Sequence, residues 1–207
     1  MRIEAEHCPA YILAGGAGSR YGGDKARANI AGQANILRLI DQVSNQGHGG
    51  QGAGVFVVAD RSDRYQHFGL QCLVDSASQS GPLAGLVAAL EHRLTRGPGW
   101  LLLVGCDQVL WRHSWFEELA TLASRDCDAV SFLYCDQDEL APQPIPAIYH
   151  TRILKEARQY LMSSQFSLRR LLASVRSAGT VCVDNPQGWT FNTQDELQQI
   201  VSRLGQQ

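Results

Sequence analysis

Thirteen residues near the start of the chain carry its densest chemistry: Leu13-Ala14-Gly15-Gly16-Ala17-Gly18-Ser19-Arg20-Tyr21-Gly22-Gly23-Asp24-Lys25. Five of the thirteen are glycine and two, Arg20 and Lys25, are cationic. Glycines let backbone N–H groups approach phosphate oxygens with no Cβ in the way. Arg20 and Lys25 can neutralise the charge of a triphosphate. A plain turn would need neither the number of glycines nor the cations. Two familiar phosphate loops are excluded by spelling. The dinucleotide fingerprint G-x-G-x-x-G fits Gly16 and Gly18 but ends on Tyr21, and a Walker loop needs Ser or Thr after its lysine, where this chain has Ala26.

A second candidate is Asp107, which follows the apolar run Trp100–Gly105 and Cys106. A carboxylate at the end of a buried strand projects into the crevice where such sheets bind ligands, and can hold Mg²⁺. A third is Asp75, followed by Gly81-Pro82-Leu83-Ala84-Gly85. There Gly81 lets the chain pass close to a ligand, and Pro82 starts a helix whose N-terminus favours anions.

These residues need elements to hold them. Cys8–Ala14, Gly54–Ala59, Leu70–Val74, Trp100–Gly105, Ala129–Tyr134 and Thr180–Val183 read as strands. Ala34–Val43, Pro82–Leu94, Ser114–Ser124 (capped by Ser114), Ser167–Val175 and Thr193–Leu204 read as helices. Pro142–Pro146 reads as a turn-rich entry to Ala147–Tyr149, and Asn45–Gly54, with five glycines, as a surface loop. Strands alternating with helices predict an α/β fold, a three-layer sandwich with a mostly parallel sheet. No linker or repeat divides the 207 residues, so one domain is expected over 1–207.

Net charge is −2, which offers no basic surface for nucleic acid or an anionic membrane. The longest strongly apolar run is far shorter than the roughly 20 residues a membrane helix needs. Met1–Pro9 carries acids and a histidine where a leader would need a basic end and an apolar core, so a cytoplasmic protein is expected. The six cysteines form no Cys-x-x-Cys pair and read as buried thiols. The six histidines are scattered and take no assigned role.

The loop resembles the signature L-x-G-G-x-G-x-R-M-G-x-x-K of nucleotidyltransferases. Within these it looks most like the molybdenum cofactor guanylyltransferase (MobA-like) family, whose double glycine before Asp-Lys is matched by Gly22-Gly23-Asp24-Lys25. The related cytidylyltransferases usually have alanine where Gly15 stands. Tyr21 departs from the usual methionine. Asp75 with Gly81–Gly85 resembles the family's nucleoside-side block, and Cys106-Asp107 its metal-side block, although Gln108-Val109 replaces a small residue and proline. Gln143–Tyr149 resembles a segment near the second substrate, and Ser167–Leu172 a family helix start. Phe191–Leu197 resembles the C-terminal Asn-Thr-Pro-Glu-Asp-Leu block, with Thr190 where a further asparagine is usual.

The resemblance implies transfer of GMP from GTP to the terminal phosphate of molybdopterin, with Mg²⁺ and release of pyrophosphate. It implies nucleotide contacts from Leu13, Ala14, Gly15, Gly16, Gly18, Lys25, Asp75, Gly81, Pro82, Leu83 and Asp107. Lys25, Arg20 and Asp107 would be catalytic, Asp107 would hold the metal, and Arg169, Arg170 and Asn192 would meet the acceptor. Two other readings share the loop: a nucleotidyltransferase with CTP or a sugar or polyol phosphate, and a non-catalytic nucleotide-binding module.

Overall fold

The computed structural model describes residues 3–16, 20–45, 53–75, 81–136 and 139–206. The apolar run before the glycine-rich loop forms β1 (Ala10–Leu13). A two-stranded ribbon, β2 (Asn29–Ile30) and β3 (Gln33–Ala34), leads into α1 (Asn35–Val43). Then follow β4 (Val55–Ala59), β5 (Cys72–Val74), α2 (Pro82–Thr95), β6 (Trp100–Gly105) and α3 (His113–Leu122). The chain continues through β7 (Ala129–Asp136), β8 (Glu139–His150), α4 (Leu154–Met162), α5 (Leu168–Ser174), β9 (Ser177–Val181) and α6 (Gln194–Leu204).

Seven of the described strands make one sheet in the order β5-β4-β1-β6-β8-β7-β9. The pairings β5/β4, β4/β1, β1/β6 and β7/β9 are parallel, and β8 alone runs against its neighbours. The fold is therefore the mostly parallel three-layer α/β sandwich that the strand–helix alternation predicts.

Side-chain alternation along the strands builds the layers. On β6, Leu101, Leu102, Leu103 and Val104 are all fully buried, because the strand is covered on both faces. Leu102 and Val104 join the cluster under α1, α3 and α6, with Ile36, Leu39, Trp115, Phe116 and Ile200. Leu101 and Leu103 join the opposite cluster under α2, α4 and α5, with Leu83, Leu86, Leu90, Ala157 and Leu171. Each fully buried leucine contributes roughly 1.5–3 kcal/mol relative to exposure. The anchored strand thus fixes the position of the residues that follow Gly105.

Several elements differ from expectation. Ser114 does not cap α3: the helix starts at His113 with Arg112, in an extended conformation, as its cap. Pro142–Pro146 is not a turn but the middle of β8, paired with β7 as Leu133↔Pro142 and Phe132↔Gln143. The pairing of β8 with β6 stops at Leu103↔Ala147, so residues before it have one side without a ladder partner, where proline is tolerated. The last strand is Ser177–Val181 because its parallel register with β7 ends at Leu133↔Val181. Helix α4 has no counterpart in the expected elements. Among the described residues no helix is long and apolar enough to cross a membrane. All six cysteines are free; Cys8, Cys72, Cys127 and Cys182 are buried, while Cys106 is partly exposed and Cys135 exposed.

Candidate active site

The chain leaves β1, builds β4 and β5 on one side, then crosses over through α2 to β6 on the other. That reversal of strand order opens a crevice at the carboxyl ends of β1 and β6, the usual ligand position in such sheets. A cleft of about 490 Å³ lies there. Leu13, Ala14, Gly15, Gly16, Arg20, Lys25, Asp75, Gly81, Pro82, Asp107 and Asn192 all line it. Gly18 lies outside the described residues. Leu83 does not line the cleft; it is fully buried in the α2 core, one residue beyond the wall.

Local geometry explains the spelling of the loop. Gly15 has φ +92°, and a Cβ there would stand 3.1 Å from Asp60 Oδ1, so only glycine fits both the conformation and the space. Asp24 caps the helical turn Lys25–Arg27 by accepting from the backbone N–H of Ala26 at 3.1 Å. That turn aims Lys25 across the cleft. Its Nζ donates to Asn192 Oδ1 at 2.9 Å and lies 3.4 Å from Asp107 Oδ2. The ammonium also sits 5.7 Å from the centre of the Phe191 ring, which itself packs edge-on against Tyr21. Three residues far apart in sequence, 25, 107 and 192, thus meet at one point.

The loop bearing Asp107 is held by its backbone. Asn35, fully buried at the start of α1, donates its Nδ2 to the carbonyls of Cys106 and Gln108, both at 3.0 Å. Gln108 donates its Nε2 to the carbonyls of Leu110 and Pro186 at 2.9 and 3.0 Å. Val109 N–H donates to Trp189 O at 2.8 Å, and Phe191 N–H to Asp107 O at 3.3 Å. The stretch 186–192 is therefore laced onto the end of β6, which is how Asn192 arrives. Thr193 then opens α6 with a reciprocal capping box to Glu196. A Cβ at Gly105 would meet the Asp107 carboxylate, so any larger residue there would have to push that side chain aside. Burial, with the neighbouring Asp107 charge adding, pushes the Cys106 thiol up and keeps it neutral.

The two halves of the cleft differ in character. On the β4/β5 side stand Asp60 and Asp75. Among the described residues Asp75 Oδ1 is buried with no hydrogen-bond partner, and burial, reinforced by the Asp60 charge, raises its carboxyl above the usual range. A carboxyl raised in the folded state costs stability only while ionised: the cost is present above its folded pKa and disappears as pH falls through it. Asp75→Asn is thus expected to raise the melting temperature near pH 7. The gap should close as pH drops, because the parent protonates. Calorimetric melting at several pH values checks this, and a gap independent of pH would exclude the buried charge as its cause.

On the β8 side the described wall is uncharged: Gln143 and Ile145 from β8, with Gln187, Thr190 and Asn192. Arg169 and Arg170 do not line the cleft. Ser167 does cap α5, accepting from Arg170 N–H. The Arg169 guanidinium, however, bonds the Tyr134 hydroxyl and lies 5.4 Å over that ring, while the Arg170 carbonyl accepts from Tyr160. Helix α5 packs against β8, and neither arginine reaches the cleft wall. Gln143, the first residue of the segment whose resemblance pointed to the second substrate, does line the cleft, whereas sequence reading missed Asn35, Asp60, Arg64 and Gln187. Their residue types are common at surfaces, and only the direction of each side chain brings them to the site.

The arrangement can hold a polyanion against backbone amides and a lysine, beside a carboxylate suited to a divalent cation. Known proteins agree. A family model described as MobA-like NTP transferase domain matches residues 10–180. The chain is 30% identical over 206 residues to a "Molybdenum cofactor guanylyltransferase" of Photobacterium profundum, covering 97% of this chain and 98% of that one. A "Probable molybdenum cofactor guanylyltransferase" of Deinococcus radiodurans is 32% identical, over 84% of this chain and 82% of its own length. The fold matches the crystal structure of molybdopterin-guanine dinucleotide biosynthesis protein A from Archaeoglobus fulgidus with a TM-score of 0.77 at 17% identity, covering 96% of this chain and all of that one. It also matches 4-diphosphocytidyl-2C-methyl-D-erythritol synthase from Anaerococcus prevotii, TM-score 0.70 at 14% identity, over 98% and 100% of the two chains. Cleft, loop and relatives converge: the chain belongs to the MobA-like NTP transferase family and is a nucleotidyltransferase.

Proposed function

We propose that the chain transfers GMP from GTP to the terminal phosphate of molybdopterin, with Mg²⁺, and releases pyrophosphate. The observation that carries this reading is the meeting of Lys25, Asp107 and Asn192 beside the glycine-rich loop, at the boundary between a carboxylate-bearing half and an uncharged half of one cleft. The names of the curated relatives supply the substrates.

The donor set suits magnesium. Among the described residues no group of three His, Cys, Asp or Glu could cage a metal, and Asp107 is the carboxylate at the end of β6. Magnesium keeps several waters and binds through one or two carboxylates plus substrate phosphates, so a lone, partly exposed aspartate fits it where it would not fit zinc. When bound, it would polarise phosphoryl oxygens. The remaining work falls to the chain. Backbone amides of 15–16, with Arg20 and Lys25, hold the triphosphate; Asp75 and the Gly81-Pro82 start of α2 flank the nucleoside; Asn192 stands at the acceptor side. An acceptor phosphate oxygen forms the new bond to the α-phosphorus as the bond to the bridging oxygen of pyrophosphate breaks. The attacking oxygen is already anionic, so no general base is needed, and catalysis is positioning and charge neutralisation.

A panel of GTP, ATP, CTP and UTP, each with Mg²⁺, tests the donor by thermal shift. GTP should stabilise most, by about 2.7 kcal/mol at roughly 100 times its dissociation constant. Best stabilisation by CTP would transfer the chain to the cytidylyl reading, and none by any triphosphate would remove the nucleotide reading. GMP transfer to molybdopterin, followed by pyrophosphate release, tests the acceptor.

A further inference from the structure

The described wall of the cleft carries more negative than positive charge. Asp24, Asp60, Asp75 and Asp107 line it, against Arg20 and Lys25. A triphosphate is a polyanion, and each unanswered carboxylate on that wall repels it. Lys25 answers Asp107. Arg64, which follows β4 and stands behind the wall, answers two more. Its Nη1 donates to both oxygens of Asp60 at 2.8 and 2.7 Å, and its Nε and Nη2 donate to Asp24 Oδ2 at 3.3 and 3.2 Å. The Tyr65 hydroxyl is 3.1 Å from each oxygen of Asp24. Arg27 closes the group, 3.5 Å from Asp24 and donating to the Arg64 carbonyl at 3.0 Å. The same fork underlies the loop, since a Cβ on Gly15 would stand 3.4 Å from Arg64 Cδ.

We infer that Arg64 is a positioning residue for triphosphate binding: it neutralises Asp24 and Asp60 on the cleft wall and ties the turn presenting Lys25 to the end of β4. The inference rests on the cleft being a nucleoside triphosphate site. One planar guanidinium with five donors can serve two carboxylates at once, which a lysine ammonium on a single stem cannot match in geometry. Asp24 does double duty, since its other oxygen caps the Lys25 turn. Loss of Arg64 therefore acts twice: it takes the cation from Asp60 and leaves Asp24 with Arg27 as its remaining ion-pair partner among the described residues, and it loosens the turn that carries the phosphate-facing lysine.

These two effects separate in a cycle of variants. Binding of GTP with Mg²⁺ is measured by calorimetry for the parent, Arg64→Met, Asp60→Asn and the double variant, at low and high salt. Arg64→Met should bind roughly tenfold more weakly at about 0.05 M salt, and the deficit should shrink near 0.5 M, where the Debye length is only a few ångströms. Adding Asp60→Asn should restore roughly threefold or more, because the exposed charge is gone although the tether is not rebuilt. Purely structural damage would show neither the salt dependence nor the rescue, and that result overturns the inference. Arg64→Lys, which keeps the charge and guards against a variant that fails to fold, should fall between the parent and Arg64→Met; parent-like affinity in both substitutions also overturns it. A parent that binds no triphosphate removes the nucleotide reading and this inference together, whereas a parent that binds while Arg64 proves dispensable removes this inference alone.

Discussion

Asp107→Asn is expected to lower turnover by at least about two orders of magnitude, the scale on which removal of one preorganised electrostatic group acts, while the fold survives. The structure explains why the two effects separate. The loop at 105–109 is held through backbone carbonyls and amides, by Asn35, Gln108, Trp189 and Phe191, and none of those bonds uses the Asp107 carboxylate. Among the described residues the one side-chain partner of the carboxylate is Lys25, 3.4 Å away, which keeps Asn192 at 2.9 Å. The substitution therefore removes charge with almost no change in shape. Its effect on binding is diagnostic. In the parent, Mg²⁺ should tighten GTP binding markedly. In Asp107→Asn that gain should largely vanish, yet affinity without metal should be equal or higher, because one fewer anion faces the phosphates. Near-normal turnover at limiting Mg²⁺ would rule out the metal role of Asp107.

How much of this was legible in the sequence depended on whether a residue acts through its type or through its direction. The strands β1, β4 and β6 were readable because a strand covered on both faces must be continuously apolar, and each is such a run. The strand β8 was not, because Pro142, Pro144 and Pro146 look like a turn; they are tolerated where the β6 ladder has ended. Helix α4 was missed because its buried positions, Leu154 and Ala157, are few and are separated by Lys155 and Glu156, so the apolar stripe is too thin to stand out. In the site, glycines, a lysine and a strand-end aspartate announce phosphate chemistry by type. Asn35 reads in sequence as an ordinary helix-start residue, and its inward turn toward the carbonyls of Cys106 and Gln108 exists only in three dimensions. The reverse happened with Arg169 and Arg170. Two cations on a capped helix start suit a phosphate by type, but α5 faces β8 from outside the cleft, and Arg169 is engaged with Tyr134.

Lys25→Ala should show the second large effect, on both binding and chemistry. We expect the KM for GTP to rise roughly tenfold or more and kcat to fall by about two orders of magnitude, the measured scale for loss of a group that meets charge in the transition state. The ammonium is the counter-ion of Asp107 and the donor to Asn192. On the proposed function, a cation at Asp107 is expected to release the ammonium toward the phosphates. Its absence leaves Asp107 facing an incoming polyanion unanswered, which penalises binding before any chemistry begins. The cost to stability should be much smaller. Asp107 remains one-third exposed, so water screens it, and a pair so placed is worth at most about 1 kcal/mol. Lys25→Arg should not recover the activity, since a planar fork cannot occupy the compact place above Phe191 and between Asp107 and Asn192 that a single ammonium fills. Steady-state kinetics with GTP varied, read beside the melting temperature, distinguishes the roles. If Lys25→Ala keeps kcat within about threefold of the parent at saturating GTP, the lysine serves ground-state binding alone, and the charge that stabilises the transition state must come from Arg20 and the backbone amides of the loop.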